Sequence, residues 1–468
     1  MAINLQKFYL VTDPSKTLNY SQPEDKSYYI DFSSVRGGHI IAKLRNKISV
    51  LTPDQPTCTL FTGHIGCGKS TELLRLKDDL EGDGFHVVYF VSSRNLELTD
   101  VDVGDLLLAI SQSISQSLES LQVREPTTLK SILLAAARLL NTEIELGAEG
   151  QFMGARVAAS SDGTFELNVP VPGLGEAALS REGFSLVASG IGKITARAKN
   201  DARLRDKLNQ FLAPQKTQLL AAINDELIRP AIDALKNQGK RGLVVIIDNL
   251  DRISNTPKYG TRPQQEYLFI DQGEFLNSLD CHIVYTMPLS LKFCDEYNVL
   301  TQRFEPPNVL PMVTVQYANG QDCEAGLHLL EQMVLARAYP HLSEAERVQQ
   351  SAEIFDFPDS LRRLCQISGG HVRDLLQLLN SWIQEEMSLP LSRDSLEAVI
   401  RSFRNEMTMQ ISDHEWALLR QVMERKQVRG DQEYQTLIRS RLVFEYRANH
   451  ESWFDVNPIL KGMSELQP

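Results

Sequence analysis

Eight residues, Gly63-His64-Ile65-Gly66-Cys67-Gly68-Lys69-Ser70, constrain this chain more than any other stretch of it. They fit G-x-x-x-x-G-K-[ST], the spacing of a loop that wraps phosphate groups. Glycines let the backbone fold tightly enough for successive N–H groups to point inward at phosphate oxygens. The apolar run Thr59-Leu60-Phe61 reads as a buried strand leading in, and Thr71-Glu72-Leu73-Leu74-Arg75-Leu76 as a helix leading out. The helix N-terminus adds partial positive charge. A chance glycine-rich turn would lack that flanking strand and helix. In this setting Gly63 through Thr71 cradle a nucleotide, Lys69 reaches its β- and γ-phosphates, and the Ser70 hydroxyl ligates Mg²⁺.

A chain of 468 residues has room for roughly two to four domains. Hydrophobic residues at 42% and charged residues at 23% give the balance of an ordinary globular protein. No apolar stretch approaches the roughly 20 residues that cross a bilayer, so no membrane partner is expected. Met1 to Lys7 lacks the apolar core and cleavage site of a signal peptide. Cys58, Cys67, Cys281, Cys294, Cys323 and Cys365 are scattered without a C-x-x-C pair, which argues against a zinc site or a disulfide scaffold. The expected setting is a reducing cytoplasm. A net charge of −12 weighs against non-specific nucleic-acid binding, which runs on phosphate neutralisation.

Apolar runs alternate with helix-period segments, as in an α/β domain with a parallel sheet. After the helix that stops at Gly82, His86–Val91 reads as a buried strand and Asp105–Leu121 as an amphipathic helix. Between Asn141 and Asn200 glycines and alternating segments suggest an insertion, part β and part mobile. Ser161-Asp162-Gly163 looks like its turn, and Val169-Pro170-Val171-Pro172-Gly173 can be neither helix nor central strand. The insertion is either a plain solvent-facing loop or a device that holds a partner. Helix returns over Ala202–Leu235 with a kink at Pro230, and three more strands follow at Leu243–Asp248, Cys281–Thr286 and Val309–Val315. Beyond Gln321 the pattern is helical to about Met409. A compact tail then carries helices from Ser412 and Asp431 and strands at Leu442–Tyr446 and Ser452–Val456.

Asp248 ends an uninterrupted apolar strand, so its carboxylate emerges at the sheet edge where open parallel sheets bind ligands. It pairs with Ser70 as the second metal ligand. Asn249 stands where many ATPases carry a glutamate. Asp251 is the next acid, either a base for water or a cap with Arg252 as its ion-pair partner. Thr286, at a strand tip, is a candidate γ-phosphate sensor or a plain strand-end threonine. Arg303 and Arg373 are further candidates, because a planar guanidinium matches phosphate oxygens.

Taken together, the phosphate loop, Val244-Val245-Ile246-Ile247-Asp248-Asn249-Leu250-Asp251-Arg252, the His282–Thr286 strand, Gln302-Arg303-Phe304 and Gly369-Gly370-His371-Val372-Arg373 resemble AAA+ and STAND-like ATPases. The origin-recognition and KAP-like branches are most alike. The resemblance implies an α/β P-loop NTPase core over residues 31–320, with the insertion at about 141–200. It also implies a helical lid over 321–409 and, over 410–468, a unit similar to a winged helix, all behind an N-terminal extension of residues 1–30. It implies ATP with Mg²⁺, adenine contacts from Val35 and Arg36, Thr286 as first sensor, Arg373 as lid sensor and Arg303 as a finger reaching a neighbouring subunit. Tyr434–Arg441 takes the place of a DNA-reading helix, with Arg439, Arg441 and Arg447 nearby, but eight acidic residues of the tail, from Asp413 to Asp455, offset them.

Three functions follow. The first is an ATP-hydrolysing switch that assembles into oligomers and acts on a protein partner through the insertion or the tail, in signalling, regulation or defence. The second is a DNA-associated ATPase, and the third a scaffold that binds nucleotide without turning it over. No N-K-x-D guanine-reading segment is present, and the preference for ATP comes from the resemblance.

Overall fold

The computed structural model describes residues 3–119, 126–147, 184–430, 432–448 and 451–467. Its centre is a parallel sheet. The strands are β1 (Cys58–Thr62), β2 (His86–Val91) and β3 (Leu243–Asp248), then, after a short antiparallel ribbon of β4 (Pro257–Tyr259) and β5 (Arg262–Pro263), β6 (His282–Met287) and β7 (Asn308–Val309). Their spatial order is β2-β3-β6-β1-β7, so the chain leaving β1 crosses over two strands to reach β2. Phe61 pairs with Thr286, Ile247 with Tyr285 and Val91 with Asp248. That register brings the C-terminal ends of β1, β3 and β6 level at one edge, beneath the phosphate loop.

Every residue of β3 and β6 is buried, as expected of central parallel strands covered on both faces. Alternate side chains feed two cores. Leu60, Val88, Val245, Ile247, Ile283 and Tyr285 pack into one core, while Phe61, Val87, Val244, Ile246 and Val284 pack into another with the helix that follows the loop. That helix, α1 (Lys69–Gly82), buries Leu73, Leu76 and Leu80. On the other face lies α2 (Val103–Ser117), whose N-terminus is closed by a capping box of Asp102 and Asp105. No described helix is long and apolar enough to cross a membrane.

Three stretches differ from the sequence expectations. Helix α3 (Thr128–Gly147) continues past Asn141, and α4 (Phe184–Asn200) is helical throughout, so the described ends of the insertion are helix rather than strand. The expected turn at Ser161-Asp162-Gly163 and the Val169–Gly173 segment lie outside the described residues. The long helix from Ala202 is divided into α5 (Ala202–Leu212), α6 (Lys216–Ile223) and α7 (Arg229–Asn237). Pro214 sits in a 3₁₀ turn at the first break, and a π turn over Asn224–Ile228 precedes Pro230, which falls in the first turn of α7. A proline there needs no N–H partner, so the disruption is taken up by the turn before it. Finally, the expected strand Val309–Val315 pairs only through Asn308 and Val309. Beyond it the backbone is shared among other elements: Met312 N–H donates to Glu445 O, Val313 N–H to Gly370 O and Thr314 N–H to Val35 O.

The C-terminal half is helical, with α8 (Glu324–Ala338), α9 (Pro358–Ile367), α10 (Val372–Glu386) and α11 (Arg393–Thr408) as its main helices. The tail follows as α12 (Asp413–Arg425), α13 (Gln432–Arg439) and an antiparallel hairpin of β8 (Val443–Ala448) and β9 (Glu451–Val456). The expected capping box of Ser412 and Glu415 opens α12. The tail does not stand apart. Trp416, Leu419, Leu437 and Ile438 share one core with the preceding helices, and Phe444, Tyr446 and Trp453 of the hairpin join the core beneath α1.

Phe444 is fully buried at that junction. Truncating it, Phe444→Ala, is expected to lower unfolding free energy by about 3–5 kcal/mol, as for other large aromatic deletions in cores. A chemical-denaturation midpoint checks this, and a loss below about 1 kcal/mol would contradict the shared core.

Candidate functional site

The phosphate loop leaves β1 and turns into α1 through left-handed glycines. Gly66 has φ +93° and Gly68 φ +102°, a region that L side chains rarely adopt. At Gly66 space is also closed, because a Cβ would come within 2.6 Å of His371 Cε1. Lys69 opens α1 and is almost wholly buried. Its Nζ donates to Gly63 O and His64 O, both at 2.8 Å, and forms an ion pair with Asp251 Oδ2 at 2.9 Å. Burial pulls the Lys69 pKa down, but the adjacent Asp251 outweighs it and holds the ammonium charged. Asp251 is therefore partnered by Lys69 rather than by Arg252. Its other oxygen, Oδ1, is buried without a hydrogen-bond partner.

Asp248 sits where the sequence places it, at the end of β3, and is buried. Its Oδ1 accepts from Asn249 N–H at 2.7 Å and its Oδ2 from the Tyr89 hydroxyl at 2.6 Å. Burial and the Asp248 charge raise the Tyr89 pKa, and the Ser70 side chain lies beside the same hydroxyl. Tyr89 is a site residue that sequence reasoning missed. It occupies an ordinary apolar strand, and only the register of β2 against β3 sets it beside the carboxylate. Asn249 has φ +63°, a conformation that asparagine tolerates better than glutamate does. That turn lets Leu250 N–H donate to Thr286 Oγ1 at 2.8 Å, while Thr286 donates to Ile247 O at 3.1 Å. Both functions of the Thr286 hydroxyl are thus engaged by backbone, and it holds the turn after β3 instead of facing the loop.

The three arginines have different fates. Arg373 N–H donates to Gly66 O at 3.2 Å, so the start of α10 rests on the loop. Its guanidinium borders the loop together with Arg252. Burial first, then the charges of Arg252 and Arg441, lower the Arg373 pKa. Arg36 is buried, donating to Pro311 O at 2.9 Å and to Cys67 O at 2.7 Å, so it braces the loop from below. Val35 packs in the C-terminal helical core and borders no cavity at the loop. Arg303 reaches away, its guanidinium donating to Ile270 O and Asp271 O, and it does not line the loop cleft.

That cleft is narrow, with a cavity volume of about 70 Å³. Ile65, Gly66, Gly68–Thr71, Asn249, Asp251, Arg252 and Arg373 line it, with Lys16 from the N-terminal segment. A neighbouring cavity of about 60 Å³ shares Lys16, Gly68 and Thr71 with it and adds Tyr28, Tyr29, Phe32 and Arg36. The N-terminal aromatics carried no motif, which is why the sequence alone did not reveal them. Cys67 is buried in the loop, its Sγ 3.7 Å from Leu310 O.

His64 and His371 fasten the C-terminal half to the loop. His371 Nε2 lies 2.8 Å from Ile65 O, and its Nδ1 accepts from Asp374 N–H at 3.0 Å. This fixes the donating proton on Nε2. His64 Nε2 accepts from Glu445 N–H at 3.1 Å. Between the two rings stands Phe444, stacked on His371 and edge-on to His64, with both centroid distances 5.6 Å.

Residues 38–258 match the KAP family P-loop domain, and this stretch holds the loop, β1 to β3, Asp248 and Asp251. That stretch is similar to the family's P-loop NTPase domain. No curated protein matches the chain. Among solved structures, the Aeropyrum pernix ORC2 protein in its ADPNP–ADP complexes is 13% identical, covering 91% of each chain at a TM-score of 0.36. The Aeropyrum pernix ORC1 protein in complex with DNA is 12% identical, over 92% of this chain and 94% of that one, with a TM-score of 0.35. The Walker-type ATPase PABY2304 of Pyrococcus abyssi is 12% identical, over 96% and 98%, with a TM-score of 0.33.

Burial above all, with the nearby charges of Lys69 and Lys292, holds the His64 pKa well below its ordinary 6.5. A group that binds its proton more weakly when folded stabilises fully above the unfolded pKa and loses that contribution as pH falls. Thermal midpoints are therefore expected to drop more steeply between pH 7 and 5.5 in the native chain than in His64→Gln, which keeps an acceptor for Glu445 N–H. Parallel slopes would show that His64 protonates as easily folded as unfolded.

Proposed function

We propose that this chain, built on a P-loop domain similar to that of the KAP family, is an ATP-binding and ATP-hydrolysing switch that works with Mg²⁺. One observation carries the reading: Lys69, Arg252 and Arg373 converge on a single cleft at the phosphate loop, and Asp251 is the acid that lines it with them. Like charges gathered in this way favour an anion of several charges, as the triphosphate of a nucleotide is. Lys69 would exchange its carbonyl partners for β- and γ-oxygens. Thr71 and Arg36 lie where the cleft continues into the cavity of Tyr28 and Tyr29, whose aromatic faces suit a base.

The donor set suits magnesium, which takes a hydroxyl and one carboxylate and completes its shell with phosphate oxygens and water. Ser70 and Asp248 would hold it, with Tyr89 giving up or sharing the Asp248 oxygen. The ion neutralises charge on the phosphates. Asp251, with its unpartnered oxygen beside Lys69, is the residue placed to orient or deprotonate water.

Residues 321–409 act as a lid that closes through Arg373, and residues 410–468 as a winged-helix-like unit seated on the same loop. Occupation of the loop must be felt at His371 and Phe444, and that is the physical basis of a switch. Assembly on ATP binding, with Arg303 reaching a neighbouring copy, and a protein partner held by the insertion or the tail complete the reading. DNA contact is not favoured, since Arg441 is paired with Asp374 and Arg447 with buried Glu445.

Titration of purified protein with ATP, with and without Mg²⁺, is expected to show magnesium-dependent binding that Lys69→Ala abolishes. Asp251→Asn should lower phosphate release about 100-fold or more, the range for losing a general base, while ATP still binds. A native chain that binds ATP tightly and releases no phosphate, alone or assembled, is a static binder instead.

A further inference from the structure

A second cleft, of about 170 Å³, adjoins the first at Ile65, Asp251 and Arg252. It is bounded on one side by Gly63 and His64 and on the other by Ile438 and Arg439 from the last turn of α13. Gly63, His64 and Asp251 are the three residues that hold Lys69 Nζ. The cleft therefore opens beside the end of the site where Lys69 meets the outer phosphates. Asp251 Oδ1 is buried at this border with no partner. Arg439 has no ion pair among the described residues, and its guanidinium makes one long contact, 3.5 Å to Thr436 Oγ1. The other two tail arginines are already committed to Asp374 and Glu445.

Helix α13 is anchored so that Arg439 keeps this place. Leu437 and Ile438 are buried, and Gln435 Nε2 donates to Phe293 O at 3.0 Å, tying the helix to the segment after β6. The helix in the place of a DNA-reading helix thus sets Arg439 at a cleft bordered by the phosphate loop of its own chain.

We infer that Arg439 contacts the terminal phosphate of the bound nucleotide in cis, so that the C-terminal unit itself distinguishes a triphosphate from a diphosphate. This rests on the nucleotide reading of the loop and adds to it the residue by which the tail senses nucleotide state. A diphosphate ends at the β-phosphate and leaves Arg439 facing solvent. A triphosphate gives it a charged acceptor, together with Arg252 across the cleft. Asp251, which holds Lys69, lines the same cleft as Arg439.

The test is calorimetric titration of the whole chain with Mg–ATP and with Mg–ADP, in the native form and in Arg439→Ala, Arg439→Lys and Lys69→Ala. Arg439→Ala should weaken ATP about tenfold or more, as for a lost hydrogen bond to a charged group, and leave ADP within about twofold. Arg439→Lys should recover part of the ATP affinity, because charge is kept and the planar fork is lost. Lys69→Ala should weaken both nucleotides. Equal losses for ATP and ADP in Arg439→Ala, or no loss for either, overturn the role of Arg439 while the loop reading stands. A native chain that takes up neither nucleotide overturns both. Arg439 is exposed, so its variants are expected to melt with the native chain. If Arg439→Ala melts early, the native-like Arg439→Lys decides by its ATP-to-ADP ratio, and an unchanged ratio counts against the proposal.

Discussion

The buried pair of Lys69 and Asp251 is the interaction on which the arrangement of the site depends. Both side chains are nearly closed to solvent, and each would be costly to leave alone there. Lys69 can be buried because two loop carbonyls and one carboxylate satisfy its three protons. Asp251 can reach it because the backbone turns left-handed at Asn249, which Thr286 then fixes through Leu250 N–H. A single local conformation thus joins the ends of β1, β3 and β6.

From that pair the loop is held on its outer side by the C-terminal half. His371 meets Ile65 O, Arg373 N–H meets Gly66 O, and His64 takes Glu445 N–H. Phe444 fills the space between the two histidine rings. Packed interiors transmit displacement because they have no slack. Loop, helices and hairpin are thus packed as one continuous unit.

Much of the architecture was legible in the chain, for reasons that can be named. The unbroken apolar run Leu243–Ile247 forms β3 because both faces of a central parallel strand are covered, and Ser412 with Glu415 caps α12 through local hydrogen bonds. Where neighbours compete for backbone groups, the local signal misled. Val309–Val315 is as apolar as a strand, but Glu445, Gly370 and Val35 take its N–H groups from Met312 to Thr314. Val35 adjoins Arg36 in sequence, yet only Arg36 meets the loop, while Val35 is drawn into the helical core.

The sequence by itself determined the phosphate loop, the strand–loop–helix frame around it and the acid at the end of β3. Those depend on residue types at fixed short spacings, and backbone geometry over a few residues is a local property. Only the tertiary structure decided that Asp251 answers Lys69, that Tyr89 bonds Asp248, that Thr286 serves the backbone and that Arg439 faces the loop. Each of these joins residues from different elements, and which of them meet is set by strand register and by packing across the whole core, to which no short stretch of chain has access.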